Sequence, residues 1–122
     1  MPRNISFSLT TPQFLAGTKD VTRRVGWEFL RAGDILCAVE KIVRRAGERI
    51  KRLGMIRVVD VRREKLNLMC ADLSYGEAEC IREGFPPPGE YSDPTQFVLW
   101  FAEGHRCLPS SIITRIEFVR LS

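Results

Sequence analysis

Positions 4–9, "NISFSL", alternate strictly, with Ile5, Phe7 and Leu9 on one side and Asn4, Ser6 and Ser8 on the other. That period of two predicts a half-buried strand. "TTPQFLAG" follows. Thr11 can cap a helix, Pro12 fits its first position and Gly17 can close it in the left-handed region, so a short helix is expected over 12–16. "DVTRRV" at 20–25 reads as extended, with Asp20, Thr22 and Arg24 facing one way and Val21, Arg23 and Val25 the other. "WEFLRAGD" predicts a short helical turn ended by Gly33, and "ILCAVEKIV" a strongly apolar strand over 35–43. "RRAGERIKR" is a polar connection, read as a hairpin loop around Gly47. "LGMIRVVDVRRE" is a further strand, rich in the valine and isoleucine that suit a pleated surface.

The second half is more helical. In "SYGEAECIREGF", Ser74 and Glu77 form a capping-box pattern and Gly84 ends the helix. "PPPGEYS" is too rich in proline for regular structure. Asp93 and Pro94 start a helix in which Phe97, Trp100 and Phe101 share one face. "SIITRIEFVRL" closes the chain as a strand, Ile113, Arg115, Glu117 and Val119 alternating with Ile112, Thr114, Ile116 and Phe118. The order strand, helix, three strands, two helices, strand fits an α+β class. The expected architecture is a small mixed β-barrel, open and capped by short helices.

At 122 residues, a single domain with one compact core is expected. Hydrophobic residues at 44% and charged residues at 28% exclude a disordered chain. A net charge of +4 permits a polyanionic partner without requiring one. No apolar run has the roughly 18 residues of a membrane span, and "MPRNISFSL" has no apolar core of leader type. A soluble cytoplasmic protein is therefore expected. Cys37, Cys70, Cys80 and Cys107 form no C-x-x-C pair and read as reduced, mostly buried thiols. His105 and Cys107 lack the second pair that a metal site needs, so neither a metal nor a cofactor is expected.

The densest chemistry is in "GTKDVTRR" at 17–24, which fits the pattern G-x-K-x-x-T-x-R. With the Gly-Asp at 33–34 before a strand, "VVDVRREKL", the Glu-Gly-Phe at 83–85 and the closing "ITRIEFVRL", it resembles the ASCH domain across nearly the whole chain. ASCH domains are small barrels related in fold to the PUA RNA-binding domain. The chain looks most like short members found in bacteria and phages. The resemblance implies RNA or a nucleoside-like ligand as partner. One branch is an amidohydrolase that deacetylates N(4)-acetylcytidine with a lysine, a threonine three residues on and a glutamate. Carried over, these are Lys19, Thr22 and Glu83, with Glu77 and Glu79 as competitors for the glutamate, and Arg24 closes the motif. Another member is described as a ribonuclease. The chain departs from the amidohydrolase branch in its length and in Arg23, which stands where that branch has an apolar residue.

The residue types suit amide hydrolysis. A threonine hydroxyl needs a base to attack a carbonyl, and a buried lysine beside Arg23 and Arg24 can have its pKa lowered enough to act as one. Positions three apart on a plain strand point to opposite faces, so Lys19 and Thr22 converge only if the chain bends between them. Structural roles compete for each residue. Lys19 follows a helix C-terminus and can favour its dipole. Arg24 can brace the barrel against Glu83 or Asp34. Trp27, adjoining the motif, is the preferred tryptophan for stacking a base, ahead of Trp100. Arg44, Arg45, Arg49 and Arg52, with Lys51, form a basic loop able to grip phosphates, although Glu48 interrupts it.

Overall fold

A computed structural model describes residues 2–41 and 45–122. Five strands form one mixed sheet: β1 Arg3–Ser6, β2 Val21–Arg24, β3 Ile35–Val39, β4 Arg52–Lys65 and β5 Ile112–Arg120, in the order β1-β3-β4-β5-β2. β1 runs parallel to β3, and the other neighbours are antiparallel. The sheet curls into a half-barrel with β1 and β2 as its edges. Four helices, α1 Thr11–Leu15, α2 Leu68–Ala71, α3 Leu73–Arg82 and α4 Pro94–His105, pack around it.

The buried apolar residues form two clusters rather than the single core expected. Strand periodicity explains the division. Ile116 and Phe118 on β5 face the barrel interior with Ile5, Phe7, Phe14, Leu36, Ile56 and Val58. Ile113, of opposite parity, joins Leu66, Met69, Cys80, Phe97 and Phe101 beneath the helices. The middle of β5 is thus buried on both faces. Arg115, on the helix-facing side, is only 2% exposed and must find charge partners there.

Several local expectations change. α3 starts two residues earlier than its capping box suggested. Asp72, not Ser74, is the cap, its carboxylate accepting from the Tyr75 amide at 3.2 Å, and the short α2 immediately before it was not expected. α1 begins at Thr11 itself, whose hydroxyl donates to the Phe7 carbonyl at 2.8 Å instead of capping. Residues 27–34 make turns without a helix. β1 ends at Ser6, so Leu9, read as part of a buried stripe, is 70% exposed. The expected strand over 35–43 ends at Val39, and positions 42 and 43 lie outside the described residues. The caps of α4 are as expected, with Asp93 accepting from the Thr95 amide at 2.9 Å and Pro94 in the first position.

Candidate functional site

The motif at 17–24 is divided between a bend and a strand. Gly17 takes the left-handed conformation after α1, and residues 18–20 are irregular before β2 begins at Val21. This bend meets the geometric condition set for Lys19 and Thr22, whose side chains line one cleft together with Arg23, Arg24 and Glu83. Glu83 arrives from the C-terminus of α3, where Gly84 at φ +104° turns the chain toward Phe85. A Cβ at position 84 would stand 3.0 Å from Gln13 Cβ and 3.6 Å from Lys19 Cβ. The glycine therefore serves both the turn and the approach of α3 to the motif.

The cleft holds about 190 Å³. The segment after β1, from Ser6 to Thr10, forms part of its wall, and α4 contributes Phe97, Trp100, Phe101 and His105. Phe85, Phe97 and Trp100 pack as an aromatic group, Trp100 lying 5.6 Å from Phe85 and 5.8 Å from Phe97 between ring centres. His105 stacks on Phe101 at 3.9 Å, and its Nδ1 is 3.0 Å from the Phe101 carbonyl.

The polar side is an ion network nearly closed to water. Lys19 Nζ donates to the Glu83 backbone carbonyl at 2.6 Å and to its carboxylate at 3.1 Å. Arg23 donates to Glu83 at 3.0 Å, to Glu79 at 2.7 Å and to Glu64 at 3.3 Å. Arg115 also donates to Glu79, twice, and Tyr75 donates to Glu64 at 3.0 Å. Arg23 and Arg115 are direct cross-strand partners. Two like charges so placed repel, and Glu79, accepting from both, is what makes the pairing tolerable.

The protonation states follow from burial and these partners. Burial lowers the pKa of Lys19 below that of an ordinary lysine. Glu83 opposes the shift, and Arg24 and Arg23 add to it. Burial alone would raise the pKa of Glu79, but the hydrogen bonds and charges of Arg115 and Arg23 prevail and bring it down to about 2. Desolvation pushes the Cys80 thiol up to about 12, leaving it inert. Arg24 differs from the other cations. It donates through Nε to Thr22 Oγ1 at 3.0 Å and through Nη2 to the Ser6 carbonyl at 2.6 Å, both neutral acceptors. That second bond ties β2 to β1, the two edges of the half-barrel.

Lys19, Thr22, Arg23, Arg24 and Glu83 therefore come together. Of the competing glutamates, Glu79 is buried but committed to two arginines, and Glu77 is exposed. Arg24 pairs with neither Glu83 nor Asp34, the partners considered for it. Arg23, the departure from the amidohydrolase pattern, contacts the carboxylates of Glu64, Glu79 and Glu83. Trp27 lies outside the cleft. It packs on the barrel core beside Phe29, and Trp100 is the tryptophan that lines the cavity. Arg45, Arg49 and Arg52 are exposed and do not line the cleft, and Arg44 lies outside the described residues. The sequence reading missed Phe85, His105 and the 6–10 segment as cleft residues. The shared face of Phe97, Trp100 and Phe101 carried a signal for the aromatic wall. Among the described residues no group of three or more His, Cys, Asp or Glu is placed to hold a metal, and no helix is long and apolar enough to cross a membrane.

Two solved structures share the architecture. An Enterococcus faecalis protein of family DUF984 superposes with a TM-score of 0.65 at 15% identity, over 99% of this chain and 80% of its own. An ASCH domain from Lactobacillus crispatus superposes with a TM-score of 0.59 at 16% identity, over 97% and 78%. No family model and no curated protein matches the chain. At such identities the likeness concerns the fold, and the fold is ASCH-like: a small α+β half-barrel of the PUA-like kind.

Proposed function

We propose that the cleft binds a nucleoside or a single RNA base. One observation carries this reading: aromatic side chains from α4 and a polar set of buried Lys19, Thr22 and Glu83 with half-buried Arg24 line the same small cavity. A planar base offers a π-face to the first and a hydrogen-bonding edge to the second. The volume of about 190 Å³ lies below the roughly 300–1,000 Å³ of drug-sized sites, which favours one base over an oligomer held inside. The exposed Arg45, Arg49 and Arg52 would contact a longer strand only outside the cleft, through its phosphates.

Tryptophan fluorescence tests the reading. In a Trp27→Phe background Trp100 is the sole tryptophan, and cytidine or a short single-stranded RNA should quench it saturably. Trp100→Ala should weaken binding by about 1–3 kcal/mol, the usual contribution of one stacked base. Unchanged emission at saturating cytidine and RNA would refute the proposal. If RNA binds, substituting Arg45, Arg49 and Arg52 should reduce its affinity and salt dependence without altering base preference.

A second reading, an amidohydrolase acting on acylated cytidine, is favoured by the lowered pKa of buried Lys19 beside the Thr22 hydroxyl. In it, Thr22 Oγ1 attacks the acyl carbon, its proton passes to neutral Lys19, and Glu83 relays a proton to the amine as the C–N bond breaks; water then attacks the Thr22 acyl ester, releasing the carboxylate and restoring the hydroxyl. The resting arrangement needs one adjustment. Both hydrogen bonds of Lys19 Nζ go to Glu83, and Thr22 Oγ1 accepts from Arg24. Substrate would have to draw Lys19 toward Thr22. The bond from Arg24 helps, because a guanidinium beside a hydroxyl favours its alkoxide. The assay is cytidine release from N(4)-acetylcytidine by the wild type, Thr22→Ala and Lys19→Arg. Turnover by the wild type with both variants inactive supports the hydrolase, since a guanidinium cannot act as the base. No turnover leaves a binding protein.

A further inference from the structure

The ion network beside the cleft leaves one arginine out. Lys19, Arg23 and Arg115 each meet at least one of Glu64, Glu79 and Glu83 within 4.0 Å. Arg24 meets no carboxylate at that distance among the described residues, and its two hydrogen bonds go to uncharged oxygens. Arg24 is thus a cation on the cavity wall without a carboxylate in contact, while its charged neighbours Lys19 and Arg23 are paired. A half-buried charge without a counter-charge is partly desolvated, and an arriving anion would offset that cost.

We propose that the ligand of this cleft is anionic, a nucleoside carrying a phosphate, and that Arg24 receives its oxyanion. The proposal rests on the nucleoside reading for the base and on the carboxylate-free contacts of Arg24 for the phosphate. A guanidinium engages a phosphate through a planar pair of donors, and such charge-assisted bonds are about twice as strong as neutral ones. Burial lowers the pKa of Arg24 to about 10, so it stays charged at neutral pH despite the unfavourable setting. The other charge partners in the cavity are committed. Glu83 is held by Lys19 and Arg23, so its repulsion of a phosphate is largely offset. Ser8 and Thr10, which also line the cleft, offer hydroxyl donors.

The test is calorimetric titration of the whole protein with cytidine, cytidine 5′-monophosphate and inorganic phosphate at low and high salt. The monophosphate should bind about tenfold or more tighter than cytidine, and salt should erode that advantage. Arg24→Gln should lower monophosphate affinity by more than cytidine affinity and so remove the advantage, and Arg24→Lys should keep part of it. Arg24 also ties β2 to β1, so circular dichroism and melting accompany each variant. Should Arg24→Gln not fold, the salt dependence of the wild type still decides. Equal or weaker binding of the monophosphate overturns the proposal and leaves the nucleoside reading standing. Binding of phosphate and monophosphate alike, without cytidine, keeps the oxyanion site and removes the nucleoside. An equal loss of cytidine and monophosphate affinity in Arg24→Gln overturns the role given to Arg24. Binding of none of the three overturns both readings.

Discussion

Replacing Glu83 by glutamine isolates the electrostatic centre of the cleft. The carboxylate accepts from Lys19 at 3.1 Å and from Arg23 at 3.0 Å, and all three side chains are at most 5% exposed. Arg23 keeps Glu79 and Glu64 in the variant. Lys19 keeps the position-83 carbonyl and at most a neutral amide oxygen, so the loss falls mainly on an ammonium without a counter-charge. Removing one partner of a buried pair typically costs about 3–5 kcal/mol. With a urea slope of about 2 kcal/mol/M, the midpoint should fall by roughly 2 M at pH 7. The deficit should also depend on pH. The pKa of Lys19 is lowered in the folded wild type, and losing Glu83 lowers it further. Just above the variant's new value the unfolded chain binds more protons than the folded one, so variant stability rises with pH before that of the wild type does. The gap between the two should therefore narrow as pH climbs toward the folded wild-type pKa. Urea unfolding followed by circular dichroism at successive pH values measures it. A loss below about 1 kcal/mol, or a gap that widens with pH, would refute the assignment of a charged, buried Lys19–Glu83 pair.

Three other outcomes are expected. Glu79, held at about 2 against an ordinary 4.5, should add about 3 kcal/mol of stability that is complete above pH 4.5 and lost as pH falls toward 2; acid unfolding of Glu79→Gln, less stable at pH 7, should be flatter in that window. Gly76→Ala should destabilise by more than about 2 kcal/mol, because its Cβ would stand 2.0 Å from the Met69 carbonyl oxygen, and thermal melting reads this directly. Gly84→Ala should lose about 1–2 kcal/mol to the positive φ and also shift cytidine affinity by displacing Glu83, whereas unchanged binding would show that the cleft tolerates movement of the α3 terminus.

Much of the fold was legible because the strand signals are local. The alternation around Ile5 and Phe7, the valine-rich β4 and the closing β5 place the sheet, and Asp93–Pro94 starts α4 where expected. The Asp72 cap was missed because Ser74 and Glu77 offered a competing pattern two residues on, and only the packing of α2 decides between them. In the site, Lys19, Thr22, Arg24 and Glu83 could be named from the motif at 17–24 and the Glu-Gly-Phe at 83–85. Their pairings could not. That Arg23, not Arg24, takes the carboxylates depends on which face of β2 meets α3, a property of sheet topology. Trp27 was preferred over Trp100 for proximity in sequence, yet proximity in space is set by α4 crossing back over the motif.

The ion network also bears on how fast the protein opens and closes. Lys19 and Glu83 are 64 positions apart, and Arg23 and Glu79 are 56 apart. Closing such long loops loses chain entropy before any ion pair can form, so these contacts belong late in folding, after the transition state. Substitutions in the network should then leave the refolding rate nearly unchanged and speed unfolding instead. The proposed ligand, held between α4 and Arg24, would work in the same direction. It would act as a kinetic clamp, lengthening the lifetime of the folded state without hastening its formation.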